Sequence, residues 1–121
     1  MTNLKKIEID GVKYIPEGSY KKAKGLKGMP YVIVRTFSAG VFAGYLESKK
    51  GKEVVIRNSR RIWKWAGAAS LSQLAVDGTN KPDGCKFPCE VDKTELTEAI
   101  EILYCTEKAR KSIQGVVVWQ M

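Results

Sequence analysis

Residues 31–47 read YVIVRTF-SAG-VFAGYLE, and this stretch decides the fold. β-Branched and aromatic residues, which favour strands, fill positions 31–37 and 41–47. The small residues Ser38-Ala39-Gly40 between them suit a tight turn. A second turn at 49–52, rich in lysine and glycine, leads into a third strand-like run at 53–58. The stretch therefore predicts an antiparallel three-stranded meander, which is stable once one face is covered.

The segments that follow the meander are expected to pack on it and cover one of its faces. Ser70 opens a capping box, which predicts a helix that ends near Gly78. The stretch 95–104 suits a strand lying across the meander, although its composition also admits a helix. Thr106 is a suitable N-cap for a second helix over 107–113. We therefore expect an α+β fold in which a small antiparallel sheet packs with two short helices.

Residues 1–30 are predicted to form a basic N-terminal extension. Asp10-Gly11 between two alternating runs indicates a hairpin, and a lysine- and glycine-rich connection follows it. Residues 31–121 then form a single α+β ligand-binding domain. The start of the chain does not resemble a signal peptide, and no apolar run approaches the ~20 residues that span a bilayer. The expected location is the cytoplasm, with no membrane partner.

The composition favours binding over catalysis. The 121 residues include no histidine, which removes the commonest general base and metal ligand. Cys85, Cys89 and Cys105 are odd in number, so we expect reduced thiols and no disulfide framework or metal site. The serines at positions 70 and 72 have no histidine partner. The sequence therefore predicts no catalytic residue, no metal and no cofactor.

The formal net charge of +8 predicts an anionic partner, and the charge is unevenly distributed. Residues 49–64 hold seven basic residues against one acid, whereas residues 83–107 hold seven acids against two lysines. Segments of opposite sign can pair within a chain or between subunits. A basic surface this local disfavours a protein that coats nucleic acid uniformly.

The run 57–65, RNSRRIWKW, is the leading candidate for a binding surface. In an extended segment alternate residues share a face, which would place Arg57, Arg61, Trp63 and Trp65 together with Ser59. Guanidinium groups bind phosphate, and indole rings stack on bases. The alternative is that the tryptophans belong to the core and the arginines are solvated or paired with acids.

Three further positions have both a functional and a structural interpretation. Ser70 follows a run of small residues at a helix N-terminus, where backbone N–H groups can bind anions or where small residues simply allow close packing. Phe87 lies in a loop and could clamp a base or cap the core. Arg110 could reach a phosphate in a neighbouring site or lie on a solvated helix face. The predicted binding residues are Arg57, Arg60, Arg61, Trp63, Trp65, Ser70, Phe87 and Arg110.

Three stretches also carry a family resemblance: YVIVRTFSAGVFAG at 31–44, RRIWKWAGAASLSQLA at 60–75 and CKFP at 85–88. They resemble the first family of Thoeris anti-defence proteins, which are small phage proteins, and the likeness covers about residues 31–119. The run at 60–75 is its most specific part. The resemblance does not assign a role to the first 30 residues.

The resemblance implies a phage sponge acting in the host bacterial cytoplasm during infection. Such a protein binds and sequesters, without cleaving it, a cyclic ADP-ribose isomer made by TIR-domain defence enzymes. Family members form dimers, and some assemble as hexamers that also take cyclic oligonucleotides. On this sequence it implies phosphate contacts from the arginines at 57, 60 and 61 and adenine stacking by Trp63, Trp65 or Phe87. Arg110 would complete the pocket across a dimer interface.

Three other functions remain open from the residues alone. The net charge is compatible with a nucleic-acid-binding phage protein, which is the main alternative. A nucleotide-processing enzyme would bind the same ligand and turn it over. An oligomeric structural protein would dock the acidic segment 90–107 on the basic segment of a neighbouring subunit.

Overall fold

The computed structural model describes residues 28–120, so the predicted N-terminal hairpin lies outside the described residues. Five strands form one antiparallel sheet in the order β4-β3-β2-β1-β5, accompanied by two helices. The elements are β1 (Tyr31–Thr36), β2 (Val41–Lys50), β3 (Glu53–Arg61), α1 (Leu71–Asp77), a 3₁₀ turn (Pro82–Gly84), β4 (Val91–Leu96), β5 (Ala99–Tyr104) and α2 (Glu107–Gly115). The small α+β fold and the meander of β1 to β3 are confirmed. The stretch 95–104 is strand rather than helix, but it is divided between the end of β4 and the whole of β5.

Both helices begin where the capping signals predict. The hydroxyl of Ser70 accepts a hydrogen bond from the backbone N–H of Gln73 at 3.1 Å. The Thr106 hydroxyl likewise accepts from the Ala109 N–H at 3.0 Å. Thr106 also donates to the carbonyl of Val76 at 2.7 Å, so the start of α2 is tied to the end of α1. The two short helices therefore support each other, which helices of this length need.

The sheet is strongly coiled, and the link between β4 and β5 shows how far. These strands are joined by only two residues, yet they lie at opposite edges of the sheet. Ala99 pairs with Thr36 at the end of β1, and its N–H also donates to the carbonyl of Lys52 at 3.1 Å. In a flat sheet Thr36 and Lys52 would be roughly 30 Å apart or more, at about 3.3 Å per residue. The β2–β3 hairpin must therefore curl over one face, giving a partly closed barrel.

Each face of the coiled sheet has its own core. Inside the coil, buried apolar residues come from both edges as well as the centre: Val32, Val34, Phe42, Val54, Ile56 and Leu96, with Ala99 and Ile102 packed against them. On the other face, Ile33 and Tyr45 pack against Leu74 of α1 and Ile113 of α2. The apolar residues of β1 thus alternate between two cores, which explains its nearly continuous hydrophobic sequence.

A β-bulge in β3 changes which side chains share a face. Tyr45 pairs with Arg57 and Ala43 pairs with Arg60, so Gly44 alone faces two residues of β3. Asn58, one of these two, has φ 50°, in the left-handed region that asparagine tolerates. Cross-strand partners share a face, so Arg57 and Arg60 lie together on the helix-covered side. The expected alternation from 57 to 65 is therefore wrong, because the bulge inserts one residue into the pattern.

Candidate functional site

Arg60 is a structural residue. Its side chain is buried, with 2% of the residue exposed, and its guanidinium donates to four backbone carbonyls. The acceptors are Phe87 at 2.7 Å, Val116 at 2.8 Å, Ile113 at 2.9 Å and Pro88 at 3.0 Å. Burial lowers the pKa of this guanidinium. The structure gives Arg60 this structural role in place of the predicted phosphate contact, because the guanidinium is buried and already donates to four carbonyls.

Two of the predicted stacking residues also belong to the interior. Phe87 is fully buried in the helix-covered core, with the Arg60 guanidinium carbon 5.5 Å from its ring centroid. Trp65 is half-buried against the same core, and its indole N–H donates to the carbonyl of Ala68 at 3.2 Å. The structural alternative therefore holds for both rings, and Phe87 in particular has no face open to a base.

The arginines at 57 and 110 are held by acids of this chain. Arg57 bonds Glu47 at 2.9 Å and Asp92 at 3.3 Å, and the hydrogen bond that it donates to Glu47 is the main cause of its raised pKa. Arg110 lies against Glu107 with both side chains largely covered, and this contact raises its pKa. A phosphate would have to displace these carboxylates before it could bind either guanidinium.

Neither Ser70 nor the two surface cavities described among residues 28–120 extend the predicted site. The Ser70 hydroxyl is used as the helix cap described above. Two shallow cavities, of about 400 and 270 Å³, lie along the β2–β3 hairpin near β5 and β4 respectively. Neither is lined by any of the eight predicted residues. Within residues 28–120, no group of three Cys, Asp or Glu side chains is placed to hold a metal ion.

Trp63 behaves differently from the other predicted residues. Its side chain is exposed, at 63% of the residue, and its ring lies nearly parallel to that of Trp119. The ring planes differ by 7° and the centroids are 6.5 Å apart. Trp119 is itself 40% exposed, so the two indoles form a flat aromatic pair on the surface. An exposed flat pair of this kind can stack with a planar ligand.

One lysine lies over a ring of this aromatic pair, and a second lysine is its backbone partner. The ammonium nitrogen of Lys86 lies 5.4 Å from the ring centroid of Trp119. Lys86 also forms a backbone bridge with Lys64, and its carbonyl accepts the N–H of Trp63 at 3.1 Å. We call Trp63, Trp119, Lys64 and Lys86 the indole platform. It combines aromatic faces with positive charge, which is the chemistry that recognises a base carrying phosphate.

Arg61 is near the platform in sequence but makes separate contacts. Its guanidinium carbon lies 4.4 Å from the Phe42 ring centroid, and it donates to the carbonyl of Ala39. Among the residues that the structure describes, neither Arg61 nor the two platform lysines form an ion pair. Within residues 28–120, an anion would therefore have no carboxylate to displace at these three cations, unlike at Arg57 and Arg110.

Sequence reasoning missed Trp119 and both platform lysines. Trp119 lies 56 positions from Trp63 in the sequence, and only the parallel bridge between Phe87 and Val118 brings them together. The one available signal is the run VVVW at 116–119, whose β-branched residues suit a short strand or a docked tail. A search for aromatic residues on that segment would have found Trp119.

Taken together, the chain is a small α+β protein with an exposed aromatic and basic surface. Residues 29–113 match the family model described as a domain of unknown function, DUF6948, and the chain belongs to that family. No curated protein and no solved structure matched the chain. In the described part of the chain, no helix is long and apolar enough to cross a membrane.

Proposed function

We propose that this protein binds and sequesters a cyclic nucleotide signal without cleaving it, as a phage anti-defence sponge. The ligand class is a cyclic ADP-ribose isomer, and the same surface chemistry suits cyclic oligonucleotides. The observation that carries the proposal is the indole platform, where two exposed parallel rings stand beside lysines. Such a ligand offers an adenine to stack on the rings and a pyrophosphate to meet the cations.

The chemistry of the chain supports sequestration over turnover. The chain has no histidine, so the serines at positions 70 and 72 have no histidine base as a partner. Arg61, Lys64 and Lys86 can neutralise phosphate charge without activating a nucleophile. The family resemblance of residues 60–75 points to the same role, in the host bacterial cytoplasm and as a homo-oligomer, either a dimer or a hexamer.

The proposal is tested by incubating the protein with cyclic ADP-ribose, its isomers, cyclic dinucleotides and linear ADP-ribose. Native mass spectrometry then reports which ligands bind and how many per oligomer. The complex is denatured and the released ligand is compared with the same ligand kept without protein. We expect tight binding of a cyclic species and its intact recovery. Recovery of hydrolysis products alone would show an enzyme instead.

Nucleic-acid binding is the second candidate, because the platform and the net charge of +8 would also suit a single strand. This candidate predicts that DNA or RNA oligonucleotides bind at low salt and dissociate steeply as salt rises. Titration of a labelled oligonucleotide at two salt concentrations distinguishes the two functions. Strong oligonucleotide binding together with no cyclic-nucleotide binding would favour this second function.

A further inference from the structure

The C-terminal tail, residues 116–120, carries one of the two rings of the indole platform. Val116 is buried, whereas Val117 is 85% exposed, so the tail passes from the core to the surface within one residue. Its backbone then pairs with the segment around Phe87, whose carbonyl accepts the Trp119 N–H at 3.0 Å. An isolated backbone bridge between Phe87 and Val118 therefore positions Trp119.

The two segments that carry the platform are fixed to each other by the same buried side chain. Arg60 bonds the carbonyl of Val116, where the tail begins, and the carbonyls of Phe87 and Pro88 beside Lys86. Trp63 is held on the other side of this segment by its N–H bond to the Lys86 carbonyl. The parallel setting of the two rings follows from this arrangement of three adjacent segments.

Core packing does not explain why Trp63 and Trp119 lie at the surface. Tryptophan usually buries most of its large apolar surface, as Trp65 does here. Trp63 and Trp119 instead lie parallel to each other at the surface, with Lys86 over the Trp119 ring, and neither indole belongs to a core cluster. Two aromatic rings held parallel in water by a fixed backbone form a ready-made stacking surface for one planar group.

We infer that Trp119 is a ligand-binding residue and that the tail completes the site, with Trp63 and Trp119 together holding one purine base. This inference rests on the proposed function. Lys86, already beside the Trp119 ring, supplies the charge that meets the phosphate attached to that base. The family match ends at residue 113, so this contribution comes from outside the region that defines the family.

The test titrates cyclic ADP-ribose into the full-length protein and three variants, following tryptophan fluorescence and the heat of binding. Trp119→Ala and Trp63→Ala should each weaken binding at least about fivefold, because stacking on one ring contributes about that factor or more. Val117→Ala is the matched control on the same tail and should bind as the wild type does. Thermal unfolding of all four proteins shows that each remains folded.

The possible outcomes either support or overturn the inference about Trp119. Wild-type affinity in Trp119→Ala would overturn the inference and leave the proposed function standing, with the ligand bound elsewhere. Equal weakening in Val117→Ala would also overturn it, since the effect would belong to the tail as a whole. If the wild type bound neither cyclic ADP-ribose, nor its isomers, nor cyclic dinucleotides, both the inference and the proposed function would be overturned. Selective weakening in the two tryptophan variants supports both.

Discussion

The inward and outward sides of the segment 60–64 use the same residue types for opposite purposes. On the inward side, the Arg60 guanidinium is buried and bonds four carbonyls. On the outward side, Arg61 and Trp63 are exposed, and Arg61 rests on the Phe42 ring. A basic, aromatic run is thus half scaffold and half candidate site. The residue type does not show which arginine is structural. The hydrogen bonds do, because the guanidinium of Arg60 donates to four carbonyls of the chain.

The neighbouring segment repeats the contrast. Phe87 points into the core with no exposed surface, while Lys86, one residue earlier, lies over the Trp119 ring. The inward residues of both segments meet, since Arg60 stacks on Phe87. The outward residues Trp63 and Lys86 of the two segments both belong to the indole platform. Mutations on the two sides should therefore separate stability from binding.

The largest effect is expected at Arg60. Arg60→Leu removes four charge-assisted hydrogen bonds to carbonyls, of which, within residues 28–120, only those of Phe87 and Ile113 keep a backbone donor. Each lost bond costs about 1–3 kcal/mol. We expect a loss of about 5 kcal/mol or more, close to the total stability of a small domain. Urea unfolding followed by circular dichroism measures it, with Arg61→Leu as the adjacent control. Similar unfolding midpoints for the two variants would contradict the contrast.

The next effect compares two aromatic residues. Phe87→Ala removes a fully buried ring and should lower the free energy of unfolding by about 3 to 5 kcal/mol. Trp63→Ala removes an exposed ring whose stacking partner is also exposed, so its cost should stay below about 1.5 kcal/mol. The same denaturation experiment measures both. If Trp63→Ala were as destabilising as Phe87→Ala, the platform would be structural.

Alkaline pH tests the interior through a single thiol. Burial raises the pKa of Cys105 from 9.0 to about 12. Above pH 9 the unfolded chain loses this proton while the folded chain keeps it, so stability falls as pH rises toward 12. The slope contributed by this group approaches about 1.4 kcal/mol per pH unit.

Comparing variants isolates this contribution. Cys105→Ala should flatten the decline of unfolding free energy between pH 9 and the folded-state pKa, whatever its effect at neutral pH. Cys89→Ala, at an exposed thiol, should leave the decline unchanged. An equal slope in wild type and Cys105→Ala would mean that other groups account for the alkaline loss.

The smallest effect on stability is expected at Arg61. Its cation–π contact with Phe42 lies at the surface, where such contacts contribute about 0.5–1 kcal/mol. Arg61→Ala should therefore unfold within about 1 kcal/mol of the wild type. If Arg61 meets the phosphate of the ligand, affinity for cyclic ADP-ribose should fall in the same variant. Unchanged affinity would confine the site to the indole platform.

Local signals in the sequence predicted the elements well. The strand runs of the meander and the caps at Ser70 and Thr106 depend on neighbouring residues alone, and the structure confirms them. The sequence could have suggested the bulge at Asn58, because asparagine tolerates the left-handed conformation. Its consequence, Arg60 turning inward, depends on where the carbonyls of residues 87, 88, 113 and 116 lie. Those positions are set by tertiary packing, which no local pattern encodes.

The site was predicted only in part for the same reason. Trp63 stood out as an aromatic residue in a basic run, and it is exposed as a binding residue must be. Phe87 also stands beside a lysine in the sequence and gave a similar signal, yet its ring is buried in the helix-covered core. Trp119 carried no signal of its own, since its role depends on pairing between segments that are distant in sequence.

The two-residue link between β4 and β5 has a consequence for how the domain opens. Edge strands normally fray independently, each at its own low free-energy cost. Here both edges of the sheet are consecutive in the chain, and Leu96 and Ala99 at the two ends of the link enter the same apolar cluster. Detaching one edge pulls on the other. Amide hydrogens of β4 and β5 should therefore exchange with solvent as one cooperative unit, at a common rate that two independent edges would not share.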